Sequence, residues 1–317
     1  MDNLLLQSYE TSSLATCLGA MRFSLLQFSK IHNPDVLGEQ LPNAHEAYLP
    51  VSLRWGPQNE VSVNDLFVND FSAAHGTYDL ADGIHKPKVF IVYGDRGFGK
   101  TALVNYLMYE WLLDEANDVK KIKDFDLAII IEVEKIKDVA AIPLLESKLP
   151  LCYMPNCMKF DDVTEELKNK KILWLFDGFE KVTINTKKAI SDAIEHFPAS
   201  RVVITSHERQ SVNIRYMMEL MQVKYVPLNL VALTSHTWKL MAPKMIATKT
   251  YDTGLAQELS SRFISDHRRK FEEEGIPRPK DLGYAVYAWL IESYPWASQG
   301  VVIPKGSGRS NEQSSQY

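Results

Sequence analysis

The sequence predicts an α/β fold, a mostly parallel sheet flanked by helices and followed by a C-terminal helical domain. Three observations predict it. An apolar run, Lys88 to Tyr93 (KVFIVY), leads directly into a glycine-rich octapeptide and then into apolar residues at helical spacing. From Lys88 onward, short apolar runs alternate with helical patterns, as in a parallel sheet covered on both faces. Over the last hundred residues, strand signals give way to helical ones.

Taken in order, the elements begin with Leu14, Leu18, Met21, Leu25 and Phe28, whose steps of four and three describe one apolar stripe on a helix ended by Asn33-Pro34. Two heptads are too few for a coiled coil, so this helix is expected to pack rather than to dimerise. Tyr48 to Leu53 and Val61 to Phe67 follow, then a loop bearing glycine and histidine, with no catalytic constellation among them. Residues 1–85 are therefore set apart as an N-terminal extension, helical or irregular, distinct from the α/β core at 86–228.

Strands are expected at 88–93, Leu127–Val133, Ile172–Phe176, Arg201–Thr205 and Val223–Leu228. Several are continuous apolar runs, the mark of strands buried on both faces. Helices between them include one carrying Leu103, Val104, Leu107, Met108, Trp111 and Leu112, and another from Thr186 to His196. A helical domain is expected over 229–305, with Leu255, Leu259 and Phe263 on one face and a further helix from Asp281 to Ser293 after Pro277 and Pro279. The polar, Ser-rich end, 306–317, has the composition of a disordered tail.

Gly94-Asp95-Arg96-Gly97-Phe98-Gly99-Lys100-Thr101 matches G-x-x-x-x-G-K-[ST]. Between a strand and a helix this pattern is a phosphate-binding loop: glycines let backbone N–H groups turn toward phosphate oxygens, and the helix dipole adds positive potential. Lys100 would reach the β- and γ-phosphates, and Thr101 would ligate Mg²⁺. A second Mg²⁺ partner is needed at the end of a neighbouring strand, and Ile172 to Phe176 ending in Asp177 supplies it. Glu180, three residues on, is the candidate catalytic group that orients or deprotonates an attacking water. Arg201 to Thr205 ends in Ser206-His207, where Thr205 or His207 is the candidate γ-phosphate sensor and Arg209 lies close by.

Composition narrows the partners. With 317 residues, 45% hydrophobic and 24% charged, the chain is of ordinary globular type, and its net charge of −5 gives no case for nucleic acid. Cys17, Cys152 and Cys157 form no disulfide or zinc framework. No run approaches the ~20 apolar residues of a membrane span, and the start lacks a signal-peptide pattern, so a cytoplasmic location is expected. An Asn-Lys-x-Asp guanine clamp is absent, as is an arginine-rich kinase lid.

GDRGFGKT, LWLFDGFEK and RVVITS, in this order and spacing, resemble the NACHT class of STAND nucleotide-binding proteins, the group containing the NOD-like receptors. Asp177-Gly178-Phe179-Glu180 is the more specific part, and the likeness covers about 86 to 210. The resemblance implies a P-loop domain that prefers ATP, switches between ADP and ATP, and is closed over the base by a helical domain. It also implies innate-immune-like signalling and protein partners or self-association. A proline of that domain contacts adenine in the family, and Pro277 or Pro279 corresponds. Two departures stand out: Lys181 where the family has a second acid, and His207 where it usually has arginine. Both fall on groups that act on the γ-phosphate, so binding is expected with weak or absent hydrolysis. The alternatives are an active oligomeric ATPase of the AAA type and a non-catalytic regulator or decoy of longer relatives.

Overall fold

A computed structural model describes residues 52–57, 59–67, 71, 88–113, 119–133, 165, 167–179, 184–250 and 252–294. The amphipathic stripe at 14–28, the three cysteines, Glu180, Lys181 and the Ser-rich end lie outside the described residues.

Seven strands form one sheet: β1 (Leu53–Trp55), β2 (Asn59–Val61), β3 (Val89–Tyr93), β4 (Leu127–Glu132), β5 (Ile172–Asp177), β6 (Arg201–Ser206) and β7 (Tyr225–Leu230), in the spatial order β2-β1-β7-β3-β6-β5-β4. The five strands from β3 to β7 run parallel to their parallel-sheet neighbours. All five residues of β3 are buried, because strands lie on both of its edges and helices cover its faces. The expected strands are all present within one or two residues of their predicted bounds.

The chain ahead of the glycine loop contributes to this sheet. β1 pairs antiparallel with the outer edge of β7 through Leu53–Leu230 and Arg54–Asn229, and β2 pairs antiparallel with β1. Leu53, Trp55, Val61, Leu66, Phe67 and Phe71 bury themselves in the same cluster as the strands. Residues set apart in the sequence as an extension thus share the core of the nucleotide unit, at Leu53, Trp55, Val61, Leu66, Phe67 and Phe71; among the described residues, β1 alone pairs with the outer edge of β7. The short overlap also explains Pro227 within a strand: β1 reaches only Asn229 and Leu230, so the missing N–H of Pro227 falls where no outer partner asks for it.

α1 (Lys100–Leu112) follows β3 and is buried almost all round, including Tyr106, Met108 and Glu110. Its C-terminal end is tied to the turn at Lys120–Asp124: the Trp111 indole donates to the Phe125 carbonyl at 2.9 Å, and Lys123 donates to the Trp111 carbonyl at 2.8 Å. α2 (Ile184–His196) and α3 (Ser211–Leu220) lie between successive strands.

A second, all-helical core follows β7. α4 (Thr237–Ala247), α5 (Thr253–Glu274) and α6 (Pro279–Ser293) close on Trp238, Ile246, Leu259, Phe263, Phe271, Leu282, Val286 and Trp289. Asp252 caps α5 by accepting from the Leu255 N–H at 2.9 Å. α6 starts with Pro279, a residue suited to the first helical position because the N–H it lacks would have no partner there.

Candidate nucleotide-binding site

The loop from Gly94 to Gly99 connects the carboxyl end of β3 to the first turn of α1. Two glycines make its shape possible: Gly97 and Gly99 have φ of +88° and +95°, a left-handed region costly for residues with a Cβ. Gly94 is constrained differently, since a Cβ there would stand 3.0 Å from Cδ1 of Leu230 on β7. Gly94 N–H donates to the Ser206 carbonyl at 3.1 Å and Phe98 N–H to the Asp95 carbonyl at 3.2 Å, so the loop is fastened to the end of β6 and folded on itself. Gly99 caps α1 without a side-chain bond, which leaves first-turn N–H groups for an anion.

Lys100 turns back over this loop. Its ammonium donates to the carbonyls of Gly94 at 2.8 Å and Asp95 at 3.2 Å, and so stands within the loop's own concavity. Thr101 is exposed on the same turn of α1. Arg96 and Phe98 belong to the loop by backbone position, with Phe98 packed against the sheet core.

Asp177 ends β5, and the structure corrects one expectation here. β5 is not beside β3; β6 lies between them, so the carboxylate and the glycine loop are two strands apart, roughly 10 Å at the usual strand spacing. Thr205 on β6 bridges the difference. Its hydroxyl donates to Asp177 Oδ1 at 2.5 Å and accepts from Gly178 N–H at 3.1 Å. Fully buried, Thr205 uses its proton and one lone pair to hold the carboxylate and the turn that follows it. Phe179 N–H donates to the Thr205 carbonyl at 2.8 Å, and the Ser206 hydroxyl donates to the Phe179 carbonyl at 2.7 Å, locking the turn after Asp177 onto β6.

Of the two sensor candidates, His207 is the one that faces the loop. Its Nδ1 is 3.5 Å from Asp95 Oδ1 and has no hydrogen-bond partner among the described residues. Arg209 is exposed in the short turn that follows. Glu180 lies outside the described residues.

The resemblance offered Pro277 or Pro279 as a nucleotide contact, but not the bonds that their neighbours make to the glycine loop. Arg278 Nη1 donates to the Arg96 carbonyl at 3.1 Å, and Lys280 N–H donates to the Gly97 carbonyl at 3.3 Å. The N-terminus of α6 therefore rests on the apex of the glycine loop, with Pro279 buried between those two residues in the chain. The Pro-x-Pro segment at 277–279 marked a helix start, but nothing in its spacing pointed to residues 96 and 97.

The donor set fits a Mg²⁺-bound polyphosphate. Positive-φ glycines, free helix N–H groups and one ammonium suit phosphate oxygens. A hydroxyl at Thr101 and a carboxylate at Asp177 suit Mg²⁺, which takes few protein ligands and fills its remaining positions with phosphate and water. Among the described residues no cluster of three or more histidine, cysteine or acidic side chains offers an all-protein metal cage.

A family model for the NACHT domain matches residues 88–267, more than half of the chain. No curated protein matches the sequence. Among solved structures, the S. cerevisiae Hsp104:casein complex is similar at 13% identity and a TM-score of 0.40, over 68% of this chain and 36% of that one. The Thermotoga maritima RuvB Holliday junction branch migration motor is similar at 12% identity and 0.30, over 65% and 62%. S. cerevisiae RIF2 is similar at 12% identity and 0.38, over 68% and 81%. The chain thus spans about a third of the Hsp104 chain and under two thirds of RuvB.

Proposed function

This chain belongs to the NACHT domain family of nucleotide-binding NTPases, and on that premise we propose that it is an ATP/ADP-responsive switch with weak or absent hydrolysis. The observation that carries the reading is the contact between the glycine loop and the N-terminus of α6. The element that would cradle the phosphates also holds the helical module, through the Arg96 and Gly97 carbonyls. A nucleotide in the loop would therefore bias how that module sits, and that coupling is what a switch requires.

In this reading Gly94 to Thr101 bind the nucleotide, Thr101 and Asp177 hold Mg²⁺, and Mg²⁺ neutralises phosphate charge when bound. Lys100 leaves the Gly94 and Asp95 carbonyls in part to meet phosphate oxygens. Asp95 and a γ-phosphate would compete for His207, so ATP and ADP would leave this histidine with different partners. Weak turnover is supported by the two sequence departures, His207 for arginine and Lys181 for an acid, since loss of one transition-state donor costs on the order of 10²–10³ in rate. A cytoplasmic location, self-association and a role in innate-immune-like signalling belong to the same proposal. They follow from the family; the described residues add that no helix among them is long and apolar enough to cross a membrane.

The deciding measurement is the affinity of ADP and ATP, with Mg²⁺, for the wild type and for Lys100→Ala. Binding should weaken by about 100-fold when the ammonium is removed, as for loss of a charge-assisted contact. Affinity that does not respond to the substitution would remove the glycine loop from the nucleotide site and the switch with it.

A further inference from the structure

At the opposite end of the sheet a cavity of about 220 Å³ opens among Lys88, Lys121, Lys171 and Arg201, with Ser200 and Asp124 in its wall. Sheet topology creates this cluster. Lys88 immediately precedes β3, Lys171 immediately precedes β5, and Arg201 opens β6, and these are three adjacent parallel strands. Val202 N–H donates to the Lys88 carbonyl at 2.8 Å, and Arg201 pairs in register with Leu173, so the three cations stand within two residues of one level, across roughly 10 Å.

The lining carries four cationic side chains against one carboxylate, in a chain whose net charge is −5. Arg201 is held by its Leu66 carbonyl contact at 2.7 Å and lies 5.6 Å over the Phe90 ring; burial lowers it to about 10, which leaves it charged at neutral pH. Lys88, Lys121 and Lys171 are exposed and make no side-chain hydrogen bond or ion pair among the described residues. Asp126 is nearby but engaged with its neighbours, accepting the Lys171 N–H at 2.8 Å and standing 4.0 Å from Lys170 Nζ. Ser200 supplies an independent sign: it is 6% exposed, and its buried hydroxyl has no hydrogen-bond partner among the described residues. A buried hydroxyl left unsatisfied costs about 1–3 kcal/mol, and gathered like charges repel, so a bound anion would relieve both.

We propose that this cavity is a second anion site that takes the phosphoryl group of a small phosphorylated molecule, separate from the glycine loop. Phe67, Phe125 and Pro198 give it an apolar wall for an organic remainder. Its volume is below the ~300 Å³ at which pockets for drug-sized ligands begin, which limits that remainder to a compact one.

The test uses the full chain carrying Lys100→Ala, so that the glycine loop is weakened as a phosphate site, titrated with pyrophosphate by calorimetry and by thermal unfolding. Pyrophosphate should bind and raise the unfolding temperature. Adding Lys88→Ala with Lys171→Ala, both on exposed side chains, should weaken binding by about tenfold per lysine, and Ser200→Ala should weaken it without loss of folding. Three results each overturn the proposal: no pyrophosphate binding at ~10 mM, binding indifferent to the two lysines, or an equal effect from sodium chloride at matched ionic strength. Because Lys100 is already removed, failure here leaves the nucleotide reading untouched, and failure of that reading leaves this site untouched.

Discussion

The sheet unit and the helical module bury their apolar surface in different ways. In the sheet, β3 and most of β5 are unbroken apolar runs, and partners such as Val89 and Val202 are more than a hundred residues apart in the chain. In the module, residues 238–290 make a core among themselves at helical spacing, with Trp238, Phe263, Phe271 and Trp289 at its centre. No buried residue belongs to both clusters among the described residues. At the glycine loop the two meet through hydrogen bonds to the Arg96 and Gly97 carbonyls. Such bonds exchange with water at a net ~0.5–1.5 kcal/mol each, whereas opening either core would expose large aromatic side chains. Two firm bodies with a polar contact at the candidate ligand site is an arrangement that one ligand can bias.

The strongest way to break this comparison is to damage one core and watch the other. Trp174 is fully buried against Phe197 in the sheet, and Phe263 is fully buried against Trp289 in the module. Replacing either by alanine should cost about 3–5 kcal/mol. Trp174→Ala should lower the transition of the sheet unit while the module, which has a core of its own, keeps its transition. Phe263→Ala should open the module while the sheet persists, seen as an early transition in calorimetry and as protease cleavage confined to 238–290. A single transition that takes both bodies together would erase the distinction.

A smaller effect should come from Thr205→Val, which keeps the volume but deletes the hydroxyl between Asp177 and Gly178 N–H. Leaving a half-buried N–H and a carboxylate short of a partner should cost about 1 kcal/mol. In the nucleotide reading it should also weaken the Mg²⁺ dependence of binding, since Asp177 loses the group that aims it. Stability that falls while the Mg²⁺ dependence stays intact would confine Thr205 to a structural role.

The difference between the two bodies also governs how much the sequence could reveal. Apolar runs with both faces buried made β3, β5 and β6 legible, and the glycine octapeptide was legible because its backbone geometry demands Gly97 and Gly99. β1 and β2 were not, since three-residue strands carry almost no periodicity and their pairing with β7 is a property of an edge left open elsewhere. Strand order was hidden as well: Ile172 to Asp177 announces a strand and its acid, but not that β6 inserts between it and the loop. The contact from Arg278 and Lys280 joins residues about 180 positions apart through backbone carbonyls, which leave no trace in side-chain pattern.

Arg278→Ala tests that contact with the smallest expected cost. The guanidinium is about half exposed and pairs with Asp281 at 2.6 Å while reaching the Arg96 carbonyl. Exposed pairs of this kind are worth little, so overall stability should barely change. Nucleotide release should change more than stability does. Freed of one of its two bonds to the loop apex, the N-terminus of α6 should lift more often, and the dissociation rate of a fluorescent ADP analogue should rise by several-fold, about what one hydrogen bond provides. Asp281→Ala is the control, because it removes the same ion pair but leaves Arg278 free to hold Arg96. If both variants release ADP alike, the ion pair rather than the bond to the loop governs release; if neither differs from the wild type, α6 is a wall of the site and not its latch.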